Sequence, residues 1–179
     1  MSQLSEKDKE TLLQIARRSV QAYLADETVQ FPDIESSILG EDRGVFVTIH
    51  LGKELRGCVG TIQPEESLYE NVAACAVAAA SRDSRFAPVR ADELPQLDFE
   101  ISVLSPLQDV SDIQNIEIGV HGLVISMGNA RGLLLPQVAA EYRWNREQFL
   151  NETCRKAGLP PSAWKHGARI QSFTAEVFS

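Results

Sequence analysis

The sequence predicts an α+β protein, on three observations. Strand-like and helix-like patterns alternate without the regular spacing of β-α-β units. An apolar run with a two-residue turn gives a strong hairpin signal over residues 45–62. Apolar stripes of helical period lie on both sides of it. The 179 residues are 44% hydrophobic and 23% charged, enough for a real core, and they fit one domain over 1–179 or two small lobes.

The elements follow in order. Ser5 with Asp8 three positions on marks a helix start, and Leu12, Ile15, Ala16, Ser19, Tyr23 and Leu24 form its stripe, ending near Asp26. Pro32 and residues 35–44 read as loop. Val45 to Leu51 is the clearest strand. Gly52-Lys53 turns it, and Glu54 to Ile62 returns. A regular register from that turn sets Cys58 opposite Val47 and puts Arg56 and Cys58 on the face of Val45, Val47 and Ile49. Leu55 and Val59 then share the other face with Phe46 and His50. With both faces largely apolar, the hairpin is expected inside a sheet rather than at its edge.

Pro64 is placed to open a second helix, with Leu68, Val72, Cys75, Ala76 and Ala79 on one stripe. Ser81 to Leu97 is a connector anchored by Phe86 and Pro88, and Phe99 to Leu104 a strand. Residues 116–120 and 123–127 read as short strands around His121-Gly122. A turn cluster at 128–132 leads to a strand at 133–135 and a brief helix after Pro136. Asn145 caps a further helix that stops at Gly158. Residues 168–178 alternate as a terminal strand.

The charge sum of 17 basic and 25 acidic residues is −8, which disfavours general binding to nucleic acid or anionic membranes. Cys58, Cys75 and Cys154 lack the spacing of a zinc knuckle and are odd in number, so neither a metal site nor a disulfide framework is expected. Residues 1–10 lack the apolar segment of a signal peptide, and no run reaches the roughly 20 apolar residues of a membrane span. A soluble, cytoplasmic protein without a resident cofactor is the expectation. P-loop, dinucleotide, G-x-S-x-G and H-E-x-x-H signatures are missing from the sequence.

Leu55-Arg56-Gly57-Cys58-Val59-Gly60 resembles the signature hexapeptide of the AMME chromosomal region protein family, whose prokaryotic members are called AmmeMemoRadiSam system protein A. It differs only by Val59, where Ile is common. Residues 84–89, 100–105, 118–123, 132–138 and 149–164 match further blocks in order, so the resemblance spans nearly the whole chain. It implies two structural repeats sharing one mixed, barrel-like sheet with flanking helices. It also implies a working association with a Memo-like protein and a radical S-adenosylmethionine enzyme, without an established reaction for this component.

Read from the residues, Cys58 is the sharpest chemical candidate, between glycines and two positions from Arg56, whose cation would favour the thiolate. His121 is a candidate base. Arg85, Glu100 and Arg131 are candidate substrate-binding groups, the arginines for an anion and Glu100 as a charge within an apolar strand. Each has a structural alternative. Cys58 would be a small core residue, its glycines letting a helix cross the sheet or relieving a bulge. Arg82 and Asp83 would pair, Arg85 would cap helix carbonyls, and Glu100 would be exposed or paired with Arg56 or Arg85. Trp144, Trp164 and Tyr142 would be interaction surface or core. Three functions result: a binding or adaptor component of a modification pathway; a small enzyme with a Cys58/Arg56 pocket for an anionic or carbonyl substrate; and a nucleic-acid-associated regulator. Homo-oligomerisation stays open.

Overall fold

The computed structural model describes residues 3–62, 64 and 66–179. It is α+β, with helices α1 (Glu6–Leu24), α2 (Leu68–Ser81), α3 (Pro136–Glu141) and α4 (Arg146–Lys156). The strands are β1 (Val45–Leu51), β2 (Glu54–Thr61), β3 (Leu97–Leu104), β4 (Gln108–Asp109), β5 (Gly122–Met127), β6 (Ala130–Leu134), β7 (Arg169–Phe173) and β8 (Ala175–Phe178). They divide into two four-stranded sheets, ordered β2-β1-β3-β8 and β4-β7-β5-β6, and no closed barrel forms among the described residues. The chain has two compact units, one of residues 1–104 and 176–179, the other of residues 105–175. No helix among the described residues is long and apolar enough to cross a membrane.

In the first unit, α1 begins with a reciprocal capping box between Ser5 and Asp8, as its sequence requires. Its stripe of Leu12, Ile15, Ala16 and Val20 is fully buried. It packs on α2 and β3, while α2 lies across β1 and β2. Val45, Val47 and Ile49 project from β1 into the same core, with Leu97, Phe99 and Ile101 from β3. Each such side chain contributes about 1.5–3 kcal/mol of burial. The second helix begins at Leu68 behind Ser67, whose hydroxyl and backbone share a capping box with Glu70; Pro64 lies ahead of it rather than inside it.

The hairpin corrects the expected register. Its turn is as read, with Leu51 opposite Glu54 and Gly52 at φ +62°, but pairing shifts between Ile49 and His50. Leu55 faces His50 and Gly57 faces Ile49, so Arg56 is an extra residue in a β-bulge. Cys58 therefore pairs with Thr48, not Val47, and Val59 takes the place opposite Val47 on the core side. The expectation that Arg56 and Cys58 share the face of Val45, Val47 and Ile49 fails for this reason. The interior placement fails too, because β2 is the edge strand of its sheet.

In the second unit, α4 packs on β5 and β6, and its core holds Ile116, Leu123, Ile125, Phe149, Leu150 and Cys154. Asn145 caps α4 through Gln148, and Gly158 follows it at φ +74°. Residues 116–120 form a turn rather than a strand, and β6 starts at Ala130, earlier than expected. The terminal alternation splits at Thr174 into β7 and β8, one strand in each sheet. Trp164 packs against this core with its indole N–H donated to Asn151 at 2.8 Å. Trp144 also packs there, while Tyr142 stacks on it at 4.9 Å and is 66% exposed.

Candidate functional site

The signature hexapeptide lies along β2, where glycine at position 57 has a clear steric cause. A Cβ there would stand 2.1 Å from the carbonyl oxygen of Ala79, so α2 crosses β2 at a distance only glycine allows. A Cβ on Gly60 would stand 2.3 Å from the Phe46 ring. The two glycines set a helix against one face and a phenyl ring against the other.

Between them, the free edge of β2 is closed by the connector after α2. The Cys58 N–H donates to Asp83 Oδ2 at 2.9 Å, and Arg85 Nη2 reaches the Cys58 carbonyl at 3.5 Å. Those outward-pointing backbone groups make Cys58–Thr48 a non-hydrogen-bonded pair, the kind whose side chains come closest. The Thr48 hydroxyl accordingly donates to Cys58 Sγ at 3.2 Å. Cys58 is a free thiol, half-buried, on the face turned away from α2. It is not the sealed core residue of the structural alternative.

Asp83 anchors this edge. Arg85 grips its carboxylate through Nε at 3.0 Å and Nη2 at 2.7 Å, and the Arg85 N–H donates to it at 3.1 Å. The Arg85 hydrogen bond, with the Cys58 N–H behind it, holds the Asp83 carboxyl well below the usual carboxylate range, although burial opposes this. The Asp83 side chain is 6% exposed and that of Arg85 56%. Arg85 therefore caps a carboxylate rather than helix carbonyls, and its outer face rests over Phe86 at 5.4 Å.

Arg56 is a staple. Its guanidinium meets Glu93 twice, at 2.8 and 3.0 Å, and donates to the carbonyls of Ala87 at 2.6 Å and Pro88 at 3.1 Å. Glu93 also accepts from the Arg90 N–H at 2.7 Å, and these bonds, Arg56's first, lower its carboxyl pKa. Val89, buried and bonded to the Ala80 carbonyl, fixes the connector to the core in place of Phe86 and Pro88. With its hydrogen-bonding edge so occupied, Arg56 positions backbone and does not present a cation to the Cys58 sulfur.

The remaining candidates do not gather round Cys58 in this unit. Glu100 shares a cross-strand row with Thr48 and Cys58, but pairs with neither Arg56 nor Arg85, which take Glu93 and Asp83. His121 and Arg131 belong to the second unit. His121 Nδ1 accepts the Glu117 N–H at 3.0 Å, leaving the proton of the neutral ring on Nε2. Arg131 lies in β6, its Nε buried with no hydrogen-bond partner among the described residues. Cys75 and Cys154 are core residues, and burial raises the Cys75 thiol to about 11 and that of Cys154 in the same direction. No group of three or more His, Cys, Asp and Glu suited to a metal ion occurs among the described residues.

An open cleft of about 650 Å³ lies at the turn end of the hairpin, bordered by Arg17, His50, Lys53, Asp98, Phe99 and Glu100 among others. His50 is opposite Asp98 across β1–β3, and Glu100 follows two positions along the same face. Sequence reasoning found only Glu100 here, since no motif links a turn lysine to two carboxylates some 45 residues on. Glu93 was hidden in a connector, and Asp83 was expected to pair with Arg82 rather than with Arg85. The Asp83-x-Arg85 spacing, which suits a carboxylate bonding the backbone two residues on, was the one usable signal.

These features define a class: a two-unit α+β protein whose glycine-containing edge strand is stapled by two carboxylate–guanidinium pairs. The AMMECR1 family model matches residues 13–178. The chain belongs to the AMMECR1 family. It is 40% identical over 183 residues to a protein of Methanothermobacter thermautotrophicus, covering 98% of this chain and 95% of that one. Protein MJ0810 of Methanocaldococcus jannaschii is 40% identical over 174 residues, covering 91% and 85%. The crystal structure of uncharacterized protein PH0010 from Pyrococcus horikoshii is similar to it with a TM-score of 0.89 and 36% identity, covering 97% of this chain and 92% of that one.

Proposed function

We propose that the protein is a binding component that acts with a Memo-like protein and a radical S-adenosylmethionine enzyme in a modification pathway, presenting the stapled edge of β2 to a partner. The observation that carries this reading is the internal use of the hexapeptide's charge. Arg56 is neutralised by Glu93, and the Arg85 beside Cys58 by Asp83. What the motif builds is a fixed shape: a strand edge held by the connector, with a half-buried thiol and an arginine face at its surface. Rigid, pre-ordered edges suit recognition because little freedom is lost on binding. An enzyme centred on Cys58 and Arg56 is the weaker reading, since the guanidinium that would activate the thiol is already committed.

Affinity capture from native extract of the source cells tests the reading, with purified Memo-like and radical-enzyme partners as a second step. Co-elution is expected, weakened by alkylation of Cys58 with a bulky maleimide. Recovery of neither partner, or retention indifferent to the maleimide, overturns it.

A further inference from the structure

We propose that the groove between α1 and α2 docks a basic amphipathic helix of a partner protein, its apolar face on the groove floor and its lysines or arginines on the acidic rim. The groove lies on the helical side of the first unit, whereas Cys58 faces away from α2. The surface is therefore separate from the stapled edge and does not depend on that reading.

The groove has a volume of about 480 Å³. Its floor forms where the two helices pack side by side, from Ala22 of α1 and Ala73, Ala74 and Val77 of α2. These side chains are too small to fill the space between the helices. Tyr23 and Phe31 stand along it, 47% and 40% exposed, two of the three exposed aromatic side chains among the described residues. Such residues scattered singly would mean nothing, but gathered round one concavity they mark an interaction surface. The wall is also fixed in advance. The Phe31 ring meets Tyr69 edge-on at 5.3 Å, so little freedom is lost when a partner covers it.

Charge selects the occupant. Between Arg18 and Arg43, and between Arg56 and Arg82, the chain has nine acidic residues and no lysine or arginine. Three of the nine, Glu27, Glu66 and Glu70, border the groove. The Phe31–Tyr69 contact sets the loop after α1 beside the start of α2, where Glu66 and Glu70 lie, so acid gathers at that end. Arg82 borders the other end, twelve residues after Glu70 and about 18 Å away at helical rise. An acidic peptide or an anionic lipid surface would be repelled by this rim. A helix with apolar anchors at i, i+3, i+4 and i+7 spans about 10 Å, which the groove accommodates lengthwise. Basic residues flanking those anchors meet the glutamates, the complementarity that gives specificity and speed of encounter.

The test is fluorescence anisotropy and ¹⁵N–¹H NMR of the full chain with a model peptide of about 18 residues, leucines on one helical face and lysines on the other. One control keeps the leucine face and replaces lysine by glutamate; a second keeps the composition and disperses the leucines. Saturable binding of the first peptide is expected, with amide shifts confined to residues 19–31 and 66–77. Each control should bind at least about tenfold more weakly. Ala74→Gln, which sets a polar side chain on the floor, should weaken binding about tenfold, and Glu66→Gln, which removes one exposed charge, about threefold. Both positions are exposed, so both variants keep the fold. Alkylation of Cys58 should leave binding unchanged, which separates this surface from the stapled edge. No saturable binding, equal binding of either control, shifts centred elsewhere, or variants that bind like the parent overturn the proposal. So does concentration-dependent shifting of the same amides without peptide, which would assign the groove to a second copy of this chain.

Discussion

Gly57→Ala should be among the most damaging single-methyl additions in this chain. The new Cβ would lie 2.1 Å from the Ala79 carbonyl oxygen and 3.0 Å from its carbon, against 3.4–4 Å for an ordinary van der Waals contact. Something must retreat by about 1 Å, and the obstacle is helix backbone, not the tip of a flexible side chain. If α2 retreats, Val72, Ala76 and Ala79, all essentially inaccessible, lose their fit over β1 and β2. If β2 retreats, the bulge and the Arg56 staple shift with it. Overpacking of this kind costs about 1–3 kcal/mol, and a rigid obstacle argues for the upper end. A chain of this size loses roughly 2–4 °C of Tm per kcal/mol, so a fall of roughly 6–12 °C is expected. Thermal unfolding followed by circular dichroism measures the fall and denaturant unfolding the free-energy cost, with Gly40→Ala as control because a Cβ there meets nothing within 4 Å. A Gly57→Ala protein within about 0.5 kcal/mol of the parent, at unchanged m-value, would refute the close-crossing argument.

Glu93→Gln should cost about 2 kcal/mol, because Arg56 and Glu93 are only 15% and 19% exposed and the guanidinium would lose its counter-charge. Hydrogen exchange should rise in residues 87–93 before it rises in α2. Asp83 supplies a pH signature: its carboxyl is depressed in the fold, so its stabilisation is complete above about pH 5 and is lost as acidification passes the unfolded value near 4 toward the lower folded one. Asp83→Asn should flatten acid unfolding between about pH 5 and 2, and an unchanged profile would remove Asp83 as the anchor. Thiol labelling of the native protein should modify Cys58 first, with Cys75 and Cys154 reacting only on unfolding. Equal labelling of all three in the native state would contradict their burial.

Local chemistry was legible where one segment determines its own structure. Ser5 with Asp8, Asn145 with Gln148 and the Gly52-Lys53 turn all form as their sequences require. Alternation of apolar and polar residues cannot reveal a bulge, because one inserted residue inverts every position beyond it without altering composition. That inversion moved Cys58 from the Val47 row to the Thr48 row. Tertiary pairing was equally hidden. Arg56 meets Glu93 across 37 residues, and only the path of the connector decides that this carboxylate, rather than Glu100, is within reach. Gly57 and Gly60 were recognisable as sites of close approach, with a crossing helix or a bulge as the reason; that α2 crosses at Gly57 while the Phe46 ring covers Gly60 was not.

The first sheet is finished by a strand from far along the chain. β8, at residues 175–178, lies beside β3, and Glu176 pairs with Lys9 and accepts the Leu4 N–H. All 71 residues of the second unit, Ser105–Ala175, are therefore made before that fourth strand exists. During synthesis α1 and β1–β3 emerge with a bare β3 flank, open to strand exchange with a neighbouring nascent chain. Shortening the protein upstream of residue 175 would make that transient state permanent, so a fragment ending at Leu104 is expected to self-associate rather than behave as an isolated module.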